Sequence, residues 1–318
     1  MKVETKNIVR IKQAVASLSD FSASAIVCHD RPAGGPMPSI QKLGKIVKMV
    51  REILFPGYFE NTSVYPDTLP HYMGVYVDEL FRLLAEQTLA GLCFSCNPET
   101  MACRGCDVAD RGMVAQKRKA QNIATEFITF LPELRRLLIA DVEAAYNGDP
   151  ATYDRNEVIF CYPAIRAISS YRMAHRLVEL GVPLIPRIIT EMAHSETGID
   201  INPDAKIGEY FTIDHGTGVV IGATCIIGNN VKLYQGVTLG AKSFPLDEHG
   251  NPIKGIPRHP VVEDNVVIYA QATILGRITI GHDTVIGGNV WVTHDVPPHS
   301  NIVQFKARET TFSDGAGI

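Results

Sequence analysis

The stretch Val262–Val292 reads VEDNVVIYAQATILGRITIGHDTVIGGNVWV, and an aliphatic residue returns at every sixth position: Val262, Ile268, Ile274, Ile280, Ile286 and Val292. Neither a helix nor an ordinary strand repeats in that way. Four residues after the first five of these come Val266, Ala272, Ile278, Thr284 and Val290, and Gly281 and Gly287 directly follow their Ile, where a tight turn is wanted. A six-residue unit supplies one short strand and one corner. Three units then close a triangular coil of about 18 residues, and stacked coils pair as parallel strands about 4.8 Å apart. An antiparallel β domain would instead alternate every second residue and turn every 8 to 12 residues or so.

Toward the N-terminus an earlier set, Ile201, Ile207 and Ile213, slips by two residues and resumes at Ile221, Ile227, Leu233 and Leu239. Residues 241–260 carry no hexad and read as a loop thrown out from one corner, the kind of long loop that serves binding. Before Gly198 the period is helical. Ile40, Leu43, Ile46, Val47, Val50, Ile53 and Leu54 form one apolar stripe over Ile40–Leu54. Tyr72–Leu92 and Met113–Tyr146 read likewise, and Pro163–Leu180 is a helix stopped by Gly181 and Pro183. The fold class expected is α+β, with an α-helical domain at 1–196, a parallel β-helix at 197–300 and a polar tail at 301–318.

The chain has 318 residues, 46% hydrophobic and 20% charged, enough for two folded domains. A net charge of -4 and the lack of a basic patch argue against nucleic acid. The N-terminus has no apolar h-region and no stretch is long enough to span a membrane, which predicts a cytoplasmic protein. Seven cysteines without a secretory signal argue against a disulfide framework. Four of them, Cys93-x2-Cys96 and Cys103-x2-Cys106, have the paired spacing of a thiolate metal site that zinc or an iron–sulfur centre would fit, or they are four reduced thiols in a helical hairpin.

The residues with chemical potential flank the breaks in the repeat. Asp214 and His215 sit at a corner relaxed by Gly216 and Gly218, and Arg258-His259 closes the loop. Asp200 lies fifteen residues before His215, nearly one coil, so its carboxylate is expected to contact the imidazole. A carboxylate on one ring nitrogen fixes the tautomer and leaves the other nitrogen to take a proton from a hydroxyl. A corner histidine taken alone is more often a structural hydrogen-bonder.

Asp200-Ile-Asn-Pro, Asp214-His215, Leu233-Tyr-Gln-Gly-Val-Thr-Leu-Gly240 and Arg258-His259-Pro260, following Gly148-Asp149-Pro150-Ala151 and Tyr171-Arg172-Met173-Ala174-His175, together resemble serine O-acetyltransferase over roughly residues 140–300. The resemblance implies a left-handed β-helix, acetyl transfer from acetyl-CoA to L-serine in cysteine biosynthesis, and a catalytic set of His215 as general base, Asp200 as its partner and His259. It implies that Asp149, Asp214, Arg258 and His259 hold serine, the Arg facing its carboxylate and the Asps its ammonium. Gly240, Ala241 and Ala270 match positions lining the CoA arm. The loop 241–260 is longer than is usual in the family, and Gly222-Ala223 stands where a Gly-Glu pair is common. A homotrimer or dimer of trimers is implied, and a tail ending in Ile318 is similar to the one that enters O-acetylserine sulfhydrylase. Two other readings stay open: a carbonic-anhydrase-type zinc enzyme on the same fold, needing three converging histidines, and a non-catalytic regulatory subunit of the sulfhydrylase.

Overall fold

The computed structural model describes residues 2–20, 36–59, 65–94 and 111–304, and among these forms seven helices and fourteen short strands. Residues 1–36 are a unit of their own, with helix α1 (Lys2–Leu18) carrying Ile8, Ile11, Val15 and Leu18 exposed. Everything else described belongs to the unit 37–318.

Helix α2 (Ile40–Leu54) starts where the Ser39 side chain accepts from the Lys42 N–H, and it buries the predicted stripe except for exposed Ile40. Helices α3 (Leu69–Phe94), α4 (Arg111–Gly148) and α6 (Pro163–Glu179) cover the three other predicted segments. Three helices had no forecast: α1, α5 (Arg155–Cys161), capped by Asp154, and α7 (Ile185–Thr197), closed by left-handed Gly198.

The strands form a left-handed parallel β-helix of five coils. One sheet stacks β1 (Asp200–Ile201), β4 (Val220–Ile221), β7 (Thr238–Gly240), β10 (Thr273–Leu275) and β13 (Trp291–Val292). The second stacks β2 (Lys206–Ile207), β5 (Ile226–Ile227), β8 (Val261–Val262) and β11 (Thr279–Ile280). The third stacks β3 (Thr212–Asp214), β6 (Lys232–Tyr234), β9 (Val267–Ile268), β12 (Val285–Ile286) and β14 (Asn301–Ile302). All pairings are parallel, and each predicted hexad residue from Val262 to Val292 points inward and is buried. Each such aliphatic contributes roughly 1.5–3 kcal/mol by leaving water.

Coil length is not uniform. The register Thr273↔Trp291 gives 18 residues, whereas Asp200↔Val220 gives 20, and the loop stretches Thr238↔Thr273 to 35. The two extra residues of the first coil fall between β3 and β4, where the hexads slip.

The Tyr171-Arg172-Met-Ala-His175 segment of α6 docks the helices on the first coil. Tyr171 Oη donates to the Ala205 carbonyl (2.6 Å), and His175 Nδ1 lies 2.8 Å from the Pro203 carbonyl. Arg172 makes a bidentate pair with Asp141 of α4 (2.6 and 2.8 Å) and donates to the Gly208 carbonyl (2.8 Å). The Phe211 N–H also donates to Asp141 (3.0 Å), so this fully buried carboxylate is satisfied by helix and coil together.

Candidate active site

The edge between the third and first sheets is crossed in each coil by a residue of positive φ: Gly218, Gly236, Gln271 and Asn289. They stack through Gly236 N–H to Thr217 O (3.0 Å), Gln271 N–H to Gln235 O (3.0 Å) and Asn289 N–H to Ala270 O (2.9 Å). The two-residue insertion adds His215 (φ 57°) and Gly216 (φ 95°) to this edge alone. Gly216 is required twice over, by its φ and because a Cβ there would stand 2.4 Å from Ile199 Cδ1. A non-glycine residue in this region is strained, a condition that collects at functional sites. The His215 side chain is 77% exposed.

The contact expected between Asp200 and the His215 ring is not made. Because the first coil takes 20 residues, Asp200 stacks on Val220, and His215 stands in the inserted corner. The carboxylate nearest the ring is instead Asp214 (Nε2 to Oδ1, 3.9 Å), and Asp200 faces Arg187 at 3.9 Å.

Asp214 Oδ2 pairs with Lys232 Nζ (3.3 Å), which donates to the Gly148 carbonyl at the end of α4 (2.7 Å). The next residue, Asp149, accepts from the Ala151 N–H (2.8 Å) and from Tyr162 Oη. The Tyr162 hydrogen bond, helped by the Ala151 amide, holds the Asp149 carboxyl below the usual range. Thus one lysine ties the strand bearing Asp214, beside His215, to the helix end that precedes Asp149.

The second group lies across the first sheet, on its other edge. Thr224 Oγ1 accepts from the backbone N–H of Arg258 (2.9 Å) and of His259 (3.1 Å), so its hydroxyl proton is directed to His259 Nδ1 (2.8 Å). The Thr224 N–H also points at Nδ1 (3.1 Å). With Nδ1 accepting, the ring's proton is assigned to Nε2. Burial, then the charges of Arg258 and Arg277, push the His259 pKa down to about 4, so the ring is a neutral donor near pH 7. Arg277 Nη1 ties the Thr224 carbonyl (2.8 Å) to the His259 carbonyl (3.1 Å).

Gly240 and Ala241 lie on this same edge, where Gly276 N–H meets the Gly240 carbonyl at 3.0 Å, whereas Ala270 belongs to the edge of His215. A groove of about 610 Å³ runs beside the second group, lined by Lys206, Thr224, Gly255, Pro257, Arg258 and Arg277. The loop 241–260 is a small hairpin, with Asp247 Oδ1 accepting from the N–H groups of His249 and Asn251 (2.9 Å each). One chain therefore carries the candidate residues in two groups, Asp149, Asp200, Asp214, His215 and Ala270 on one edge and Gly240, Ala241, Arg258 and His259 on the other.

Lys232, Thr224, Arg277 and Tyr162 went unnoticed in the sequence. Only Lys232 had a readable signal, since the 20-residue register sets it beside Thr212. Of the cysteine cluster, Cys93 is buried at the end of α3, and Cys96, Cys103 and Cys106 lie outside the described residues, as does Ile318. Two clusters of metal-type donors occur among the described residues, Glu191, His194 and Asp200 and the corner set His282, Asp283 and His299. In the first, Arg187 already supplies the cation, pairing with Glu191 and Asp200.

Residues 259–294 match the family described as bacterial transferase hexapeptide (six repeats). The plasmid serine acetyltransferase of Synechococcus elongatus is 50% identical over 283 residues, 89% of this chain and 86% of that protein. The chain belongs to the serine acetyltransferase family. Among solved members, Entamoeba histolytica serine acetyltransferase 1 in complex with L-cysteine aligns with a TM-score of 0.68 at 32% identity, covering 84% of this chain and 87% of that one. The Neisseria gonorrhoeae serine acetyltransferase in complex with serine aligns with a TM-score of 0.52 at 26% identity, covering 83% and 97%. As a serine acetyltransferase homologue this chain is an acyltransferase, and no helix among its described residues is long and apolar enough to cross a membrane.

Proposed function

We propose that this chain transfers the acetyl group of acetyl-CoA to the hydroxyl of L-serine with His215 as the general base. The observation that carries this reading is the placement of His215 in an insertion found in no other coil, beside Asp214 and open to an incoming hydroxyl. The imidazole takes the serine hydroxyl proton as the oxygen attacks the thioester carbon, the C–S bond breaks as the tetrahedral adduct collapses, and the proton passes to the departing CoA sulfur. No covalent enzyme intermediate is needed. A backbone N–H near Gly240 is our candidate for the oxyanion.

Asp149 and Asp214 are assigned to the serine ammonium, and Arg258 with the Nε2–H of His259 to its carboxylate. Asp200 is assigned as the partner that orients His215 once the exposed ring swings toward it. Gly240, Ala241 and Ala270 would line the CoA arm, and Lys206 and Arg277 in the adjoining groove suit its phosphates.

Two groups on opposite edges of one sheet argue for completion by a second copy, which supports a homotrimer, alone or paired. The functional division we propose is 1–196, 197–300 and 301–318, with Ile318 as the contact to O-acetylserine sulfhydrylase. The cysteine cluster is proposed as a separate thiolate site for zinc or an iron–sulfur centre, and no catalytic step uses it. The unpaired thiols of Cys161 and Cys225 suit a cytoplasmic location. Incubation with acetyl-CoA and L-serine, following CoA release, tests the reading. CoA release that does not depend on serine would refute it.

A further inference from the structure

Lys232 opens β6 with its side chain only 15% exposed, and its ammonium has three neighbours. It donates to the Gly148 carbonyl (2.7 Å), pairs with Asp214 Oδ2 (3.3 Å) and stands 4.6 Å from the centre of the Tyr234 ring. An ammonium has three N–H groups, and three partners suited to it stand around this one. The Tyr234 ring is itself held by stacking on Tyr269 of the next coil, at 4.8 Å between centroids. Burial alone would weaken the charge, but the contacts with Tyr234 and Asp214 outweigh it and keep the Lys232 pKa raised.

These neighbours come from parts of the chain far apart in sequence. Gly148 is the last residue of α4, where a cation also complements the carbonyl end of the helix dipole. Asp149 follows it directly. Asp214 ends β3 and precedes His215, and its Oδ2 is taken by the lysine while Oδ1 faces the His215 ring at 3.9 Å. One side chain therefore joins the segment bearing Asp149 to the strand bearing Asp214 and settles which oxygen of Asp214 is left open.

We infer that Lys232 is a positioning residue for the amino-acid substrate: it ties the chain at Gly148, and so the neighbouring Asp149, to Asp214, and leaves Asp214 Oδ1 turned toward His215. The inference rests on the acetyl-transfer reading above. Asp214 pairs with the lysine and Asp149 stands only within its electrostatic reach, so two carboxylates meet one lysine charge and the place tolerates a second cation. Binding a zwitterion's ammonium then brings the local charge near neutrality without breaking the Lys232 contacts.

The test is steady-state kinetics of the full-length protein, wild type against Lys232→Met and Lys232→Arg. Lys232→Met should raise KM for serine about tenfold, the effect of losing one partly buried charge-assisted contact. KM for acetyl-CoA should stay within about twofold and kcat should fall less than KM rises, because Lys232 reaches His215 only through Asp214. Lys232→Arg should restore part of the serine affinity. An unchanged or lower serine KM in Lys232→Met overturns the inference, and so does an equal loss in kcat and both KM values with a lowered melting temperature, the mark of a purely structural role. Wild-type protein without serine-dependent turnover sinks the acetyl-transfer reading and the inference with it. Wild-type turnover with no serine KM effect sinks the inference alone.

Discussion

The ring of His259 lies against Gly222 so closely that an ideal Cβ on the glycine would stand 2.0 Å from Cδ2 and 2.2 Å from Nε2. The pair follows from the coil register, which sets the loop's end over the second coil. Gly222→Ala should therefore expel the imidazole and break its bond with Thr224, costing about 1–3 kcal/mol as an overpacked site does. Denaturant unfolding would show the loss and serine kinetics a reduced kcat/KM, whereas a variant within about 0.5 kcal/mol of wild type would contradict the packing described.

Acid should weaken the fold through the same histidine. An unfolded chain protonates it near the ordinary value of about 6.5, but the folded one resists until about 4. Between those values the unfolded state binds more protons, so stability contributed by His259 is complete above about 6.5 and declines as the pH falls toward 4. Unfolding midpoints at pH 7 and pH 5 should separate more for wild type than for His259→Asn. Equal separations would refute this assignment.

His215→Asn should act on rate and not on stability. Asparagine tolerates the left-handed backbone, and the native side chain is mostly solvent-exposed, so melting should be unchanged. Loss of the proposed base should lower kcat by roughly 10²–10⁴-fold. Retention of near-wild-type turnover would move the base elsewhere.

Arg172→Met would leave the Asp141 carboxylate buried against Phe211 N–H alone. Removing one member of such a pair costs about 3–5 kcal/mol. The loss should be read in urea unfolding, and a change below about 1 kcal/mol would mean that water or another cation reaches Asp141.

The β-helix was legible because Val262–Val292 repeats without a miss, and the slip after Ile213 correctly marked the corner of His215. The direct contact expected between Asp200 and the His215 ring took the coil length as uniform, while the insertion lengthens the very coil that separates them. Helix α7 escaped notice because Gly181 and Pro183 read as stops and no helix was sought beyond them, although Pro186 in the first turn is compatible with a helix start. Thr224 could not be found at all: its importance lies in backbone N–H groups that converge on its hydroxyl, and no residue type announces that.

The insertion before β4 has one more consequence. At that edge Gly218 keeps the stacked, chain-turning position that Gly236, Gln271 and Asn289 hold in later coils, and His215 is added beside it without replacing it. Turning the chain and presenting the imidazole are thus separate jobs given to separate residues. A shortened corner that restored an 18-residue coil should still stack, and the scaffold would survive as an inert solenoid.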